Sequence, residues 1–340
     1  MKHIYSIWLA LLGLAFFVSC SQQNNDEVDT VLLQGKTMGT SYQVKFVAKK
    51  SIIEQHNFYR EVEKVLKDVN DKMSTYQKDS ELSRFNQYQG TDGFVVSADT
   101  ASVVKTALAL GKLTEGALDV TVGPLVNLWG FGPNARPENI PSAEKLSEIR
   151  NTIGLDKLRV SDSQLFKSNA NLYVDLSAIA KGFGVDKIAA LLEQTGVDAY
   201  MVEIGGEMRL KGKKQEGSDW LIAIEKPVSI ERAVQQVIAP GDNALATSGD
   251  YRNYYERDGI RYSHTIDPIT GKPISHKLVS VSVIADTCMQ ADALATALNV
   301  MGPEKALSFA RQQRLAVYLV IKSESGFDVQ YTEYFEPYMR

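Results

Sequence analysis

Apolar residues along this chain switch repeatedly between a two-residue and a 3.6-residue period, and that switching excludes an all-helical bundle or an all-β barrel. Thr40-Ser41-Tyr42-Gln43-Val44-Lys45-Phe46-Val47 alternates in the manner of a half-buried strand. Residues 58–73 have helical spacing, with Val62, Val65, Leu66 and Val69 on one side. Residues 101–113 predict a second helix, apolar at Val104, Leu108 and Ala109 and followed by Gly116. Residues 172–176 read as a short buried strand. Residues 184–195 then read as a helix with Val185, Ile188 and Leu192 inward, stopped by Gly196.

The C-terminal half is richer in strands, at residues 200–204, 220–224, 253–256, 260–266 and 278–285, with Asp258-Gly259 as a tight-hairpin signal between two of them. A helix over 289–301, closed by Gly302-Pro303, and a strand over 315–321 complete the pattern. The order predicts an α+β protein with antiparallel sheet and not a regular βαβ series. Residues 31–340 carry no repeat, low-complexity tract or Pro/Gly-rich linker, so they predict one large domain.

The N-terminus has a different character. Lys2 precedes an apolar run from Ile4 to Val18, shorter than the roughly 20 residues of a membrane span. The run ends in Phe17-Val18-Ser19-Cys20 and is followed by polar residues. It predicts a lipoprotein signal peptide over 1–19, a lipidated Cys20 and a polar tether over 20–30. The expected location is across the inner membrane, facing the periplasm and anchored by lipid. With Cys20 so used, Cys288 is the only other cysteine, which leaves no intramolecular disulfide and no cysteine metal cluster. A net charge of −4 without a basic tract argues against nucleic-acid binding.

Three clusters carry possible chemistry. In Val174-Asp175-Leu176-Ser177-Ala178-Ile179-Ala180-Lys181-Gly182, a strand turns into a helix start. Free N–H groups and the Lys181 charge suit an anion such as phosphate there, although a plain strand–helix junction would look the same. In Ala291-Asp292-Ala293-Leu294-Ala295-Thr296-Ala297, Asp292 and Thr296 lie four residues apart on one helix face. Leu294, Leu298 and Met301 mark the opposite stripe. Adjacent carboxylate and hydroxyl oxygens suit a hard cation such as Mg²⁺; the alternative is a solvated or internally bonded pair. In Tyr262-Ser263-His264-Thr265-Ile266-Asp267-Pro268-Ile269-Thr270-Gly271, His264 shares a strand face with Ile260, Tyr262 and Ile266. It reads either as a general base or as a hydrogen-bonded core residue.

Together with Met38-Gly39-Thr40, Met73-Ser74-Thr75-Tyr76, the stretch from Gly116 to Leu125, Gly205-Gly206-Glu207 and Ala246-Thr247-Ser248-Gly249-Asp250, these clusters resemble the ApbE family of FAD:protein FMN transferases. The matching stretches stand in the family's order and span residues 35–301. The resemblance implies a T-fold-like, two-lobed α+β fold with a mixed, largely antiparallel sheet and FAD between the lobes. It implies FAD contacts at Met38, Tyr76, Ala117, Leu118, Asp119 and Lys181. It also implies Mg²⁺ held by Asp292, Thr296 and the carbonyl of Ala178, with that of Ser177 as the alternative, and a catalytic base at His264. The implied reaction attaches FMN through a phosphoester to Ser or Thr of exported or membrane redox proteins, redox-pump subunits among them, and releases AMP. Two alternatives remain at this stage: an FAD pyrophosphatase releasing FMN and AMP, and a non-catalytic flavin-binding lipoprotein.

Overall fold

The computed structural model describes residues 27–340 apart from 134–136, 138, 228–232, 250–253 and 258. The expected signal peptide, Cys20 and most of the tether lie outside the described residues.

Eight strands form the central sheet. In spatial order they are Val28–Thr37, Thr40–Lys49, Ala199–Ile204, Glu207–Lys211, Ala244–Gly249, Leu278–Ala285, Ala316–Ser323 and Gly326–Tyr331. Every neighbouring pair among the described strands is antiparallel. The α+β expectation with a largely antiparallel sheet holds. The period-two pattern at the N-terminus is the cause of one buried face: Tyr42, Val44 and Phe46 are buried and stand opposite Ile204, Val202 and Tyr200. The central strand Leu278–Ala285 is buried on both faces, so even Ser280 and Ser282, which interrupt its apolar residues, are buried.

Helices Phe58–Met73 and Ala180–Gln194 cover one part of the sheet. Phe58, Val62 and Leu66 of the first meet Val185, Ile188 and Leu192 of the second over Val44 and Phe46. Each such side chain, fully buried, contributes about 1.5–3 kcal/mol. Helix Cys288–Met301 lies next along the sheet, with Ala291, Leu294, Ala295 and Leu298 against Val281, Val283 and Leu319. Helix Ala98–Leu113 starts three residues before the expected position because Ser97 caps it through the Thr100 N–H. Its core face is Ala101, Val104 and Ala107, while Ala109, expected inside, is exposed.

Two expected strands change form. Leu172–Leu176 joins no ladder, because the Asn86 side chain accepts the Val174 N–H and donates to the Val174 carbonyl, and the Asp175 N–H goes to Val120. The expected 260–266 strand splits. Ile260–Ser263 pairs with Tyr254–Arg257, then Ser263 Oγ accepts the Thr265 N–H, and Ile266–Asp267 starts a separate ladder with Lys272–Pro273. Arg257 stands opposite Ile260, as the hairpin signal requires, although Asp258 itself lies outside the described residues.

Candidate active site

Two tight hairpins meet at one end of the large sheet and border a cavity of about 560 Å³. Met38 and Gly39 join the first two strands with φ of 49° and 74°, the pair of positive values that a two-residue type I′ turn needs. A non-glycine residue in this region is uncommon, and this one lines the cavity. Gly205 and Gly206 close the neighbouring hairpin with φ of 65° and 109°, and the Gly205 N–H donates to the Ser41 carbonyl at 3.0 Å. Glu207, the first residue after that turn, faces the cavity.

Glu207 is 4% exposed and Asp292 is also 4% exposed, so two carboxylates are buried at the cavity wall. The Lys181 ammonium lies 2.7 Å from Glu207 Oε1 and 3.6 Å from Asp292 Oδ1. Burial by itself would lower the Lys181 pKa, but Asp292 and Glu207 together outweigh it and hold the ammonium charged. Burial pushes the Glu207 carboxyl above the ordinary carboxylate range, against the opposing pull of Lys181. Glu207 Oε2 is buried without a hydrogen-bond partner.

The helix starts hold this arrangement. Lys181 stands in the first turn of Ala180–Gln194, a helix that begins earlier than the apolar spacing implied and has no side-chain cap of its own. Asp292 Oδ2 accepts the Gly182 N–H at 3.0 Å across the interface between helices. The anion at this helix start is therefore the protein's own carboxylate. Gly182 is required by the close approach: a Cβ there would lie 2.3 Å from the Cys288 carbonyl oxygen. Asp292 turns away from the stripe of Leu294 and Leu298, as expected, but the face it occupies is packed as well. Helix Cys288–Met301 is buried nearly all round, and Asp292 points into the charged interior while Thr296 stays half-buried.

On the opposite wall, residues 117–119 leave the end of helix Ala98–Leu113. Thr114 anchors them by accepting the Leu118 N–H, and Gly116 takes φ of 86°. Asp119 Oδ1 accepts both the N–H and the hydroxyl of Thr121, at 2.7 and 2.6 Å. Burial raises the Asp119 pKa, opposed by these bonds. Tyr76 is 65% exposed at the rim and donates its hydroxyl to the Phe131 carbonyl at 3.3 Å. Its ring is available to a planar ligand.

His264 is half-buried just beyond the end of the Ile260–Ser263 strand. Its ring meets Phe131 edge-on at 6.4 Å between centroids. Phe131 stacks on Tyr255 at 5.3 Å, and Tyr255 on Tyr262 at 5.1 Å, so an aromatic layer supports that corner. The following turn is fixed by Asp267, which accepts the Ile269 N–H and the Thr270 hydroxyl.

The ten internal residues singled out from sequence, namely Met38, Tyr76, Ala117, Leu118, Asp119, Ala178, Lys181, His264, Asp292 and Thr296, all line this one cavity. Glu207 lay inside a quoted motif but was not assigned a role. Its signal was a carboxylate placed directly after a Gly-Gly turn. Phe131 and Asp186 were missed altogether, since neither belongs to a short motif.

Residues 38–319 match the ApbE family. The FAD:protein FMN transferase of Vibrio cholerae is 50% identical over 333 residues, covering 98% of each chain. The protein of that name in Escherichia coli K12 is 42% identical, covering 97% of each. Among solved structures, the flavin transferase ApbE from Vibrio cholerae superposes with a TM-score of 0.86 at 50% identity, covering 92% of this chain and 100% of that one. The apo form of the Pseudomonas stutzeri flavinyl transferase ApbE gives 0.84 at 38% identity, covering 91% and 96%. By the extent and identity of these matches, this chain belongs to the ApbE family.

Proposed function

We propose that this chain is a FAD:protein FMN transferase that holds FAD in the cavity and passes its FMN half to a hydroxyl of an acceptor protein. One observation carries the reading. Residues from separate stretches between Met38 and Thr296 converge on one cavity beside a half-buried lysine and two buried carboxylates. The relatives that bear this enzyme name match nearly the whole chain and support the reaction class.

In the proposed step, a Ser or Thr hydroxyl oxygen of the acceptor attacks the FMN phosphorus. A new P–O bond forms, the bridging P–O bond of the diphosphate breaks, and AMP leaves with the electron pair. A ring nitrogen of His264 takes the hydroxyl proton. Tyr76 offers an aromatic face to a flavin or adenine ring, and Met38 and residues 117–119 shape the cavity around it.

The donor set fits Mg²⁺. Asp292, Thr296 and the Ala178 carbonyl supply only oxygens, the hard ligands this ion takes, and Glu207 adds a buried, unpartnered carboxylate oxygen on the same cavity. When bound, the ion would offset the charge of the diphosphate oxygens. Catalysis in this reading is positioning and charge stabilisation around a hydroxyl nucleophile.

The acceptors proposed are exported flavoproteins and subunits of membrane redox pumps, reached by an enzyme anchored at Cys20. The apolar run before Val18-Ser19-Cys20 supports that location. The test is mass spectrometry of a candidate acceptor after incubation with FAD and Mg²⁺. Acceptor gaining one FMN, with AMP released, is the expected result. FMN and AMP appearing with the acceptor unmodified would replace the reading with FAD hydrolysis.

A further inference from the structure

Lys181, Glu207 and Asp292 form a cluster of one ammonium and two carboxyl groups, and their surroundings constrain them unequally. Asp292 is fixed on a packed helix, with Oδ2 committed to the Gly182 N–H at 3.0 Å. Glu207 is fixed where the Gly205-Gly206 turn enters a central strand of the sheet. Lys181, on a flexible four-carbon stem, keeps 30% of its side chain exposed towards the cavity. The remaining carboxylate oxygen, Glu207 Oε2, is buried and without a partner. An unpaired buried acceptor on a carboxylate is expensive to maintain, and this one borders the cavity that the donor set of Asp292 and Thr296 also lines.

We propose that Glu207 is a further carboxylate of the divalent-cation site, and that the Lys181 ammonium is a built-in placeholder which holds Glu207 and Asp292 ready and gives way when the cation binds. The inference rests on the metal reading of the same site. With both carboxyls ionised, the cluster with lysine alone carries one net negative charge, so it attracts a further cation. A divalent ion needs oxygen donors, and the open Glu207 oxygen is one that the ammonium does not use. An ammonium and a metal ion cannot share the same faces of two carboxylates, since the two cations repel. Of the three side chains only Lys181 has room to move, and the direction open to it is the cavity, where the FAD diphosphate would receive its charge. Cation and diphosphate therefore favour each other's binding, because the displaced ammonium finds a new anion.

The test uses Mn²⁺ as the probe, titrated into the full chain without FAD, with free Mn²⁺ read by electron paramagnetic resonance. Lys181→Met should tighten Mn²⁺ binding on the order of tenfold or more, because charges about 4 Å apart still interact strongly at an interior dielectric of about 20. Glu207→Gln should weaken it by a similar factor, and Lys181→Arg should leave it near the wild-type value. Thermal melts report whether each variant is folded. If Lys181→Met does not fold without metal, Lys181→Gln, which can still donate a hydrogen bond to Glu207, carries the same expectation. Unchanged Mn²⁺ affinity in both Lys181→Met and Glu207→Gln overturns the placeholder and leaves the metal reading standing. No Mn²⁺ binding to the wild type, with FAD or without, overturns the metal reading and the placeholder with it.

Discussion

Asp186 and Asp292 cap each other's helices. Asp186, on Ala180–Gln194, accepts the Cys288 and Met289 N–H groups that open Cys288–Met301, at 3.0 and 2.9 Å. Asp292, on that second helix, accepts the Gly182 N–H in the first turn of Ala180–Gln194 at 3.0 Å. Each carboxylate satisfies orphan donors and meets the positive end of the other helix's dipole. Arg209 braces Asp186 at 2.9 Å. The position of the candidate metal-binding carboxylate is thus set by the contact between two helix starts.

Asp186→Ala should destabilise the fold by about 1–3 kcal/mol, since a charged cap is lost and two buried N–H groups are left open. It should also weaken FAD and Mn²⁺ binding, although Asp186 does not line the cavity. Urea unfolding and ligand titration check both. A variant with wild-type stability would mean that the reciprocal caps do not set the helix contact.

The same geometry separates two roles of Asp292. Asp292→Asn keeps an oxygen for the Gly182 N–H and removes the charge, so it should fold with near-normal stability and lose Mn²⁺ binding. Asp292→Ala removes both, and should lower the melting temperature as well as abolish transfer. Full transfer by Asp292→Asn, or by the wild type in EDTA, would remove the metal from the mechanism.

Much of this arrangement was legible in the sequence, and what was not has physical causes. The helix over Phe58–Met73 and the strand over Thr40–Lys49 match their apolar patterns, because local periodicity and burial agree there. The family's short motifs bring His264, Asp292 and Asp119 to one cavity. Periodicity failed where packing replaced it. Asp292 sits among buried alanines on a helix covered on nearly every side, so an apolar stripe on Leu294 and Leu298 does not imply a solvated opposite face. Leu172–Leu176 has strand-like burial, yet its hydrogen bonds go to the Asn86 side chain, 88 residues away for Val174. The Asp186 caps depend equally on contacts remote in sequence.

Asp119 offers a pH-dependent test. Burial raises its folded pKa above the ordinary 3.8. The unfolded state therefore releases its proton first as pH rises, and the carboxylate costs stability once pH has passed through the folded value. Asp119→Asn should melt at a higher temperature than wild type near pH 7, with the gap narrowing as pH falls into the carboxylate range. It should also bind FAD more weakly, a trade of stability against function. A gap that is absent at neutral pH, or that widens in acid, contradicts the assigned shift.

His264 is the residue on which the proposed chemistry turns. An alcohol is a weak nucleophile at neutral pH, and an unperturbed imidazole, titrating near about 6.5, is matched to accept its proton. The residue stands half-buried at the cavity, held edge-on by Phe131, where an acceptor hydroxyl could approach from solvent. The other described histidines are placed differently: His56 bonds Glu61 at the start of helix Phe58–Met73, and His276 packs against Gly302. Neither lines the cavity. His264→Ala should keep FAD and Mn²⁺ binding and lose roughly 10²–10⁴-fold in transfer rate, the span of general acid–base catalysis. The wild-type rate should rise with pH through the imidazole titration, and the variant should lose that rise. A structural histidine would instead lower the melting temperature, with activity falling only as far as the folded fraction. Single-turnover FMN transfer by folded, FAD-saturated His264→Ala decides between them, and near-normal turnover there would assign the proton to another group.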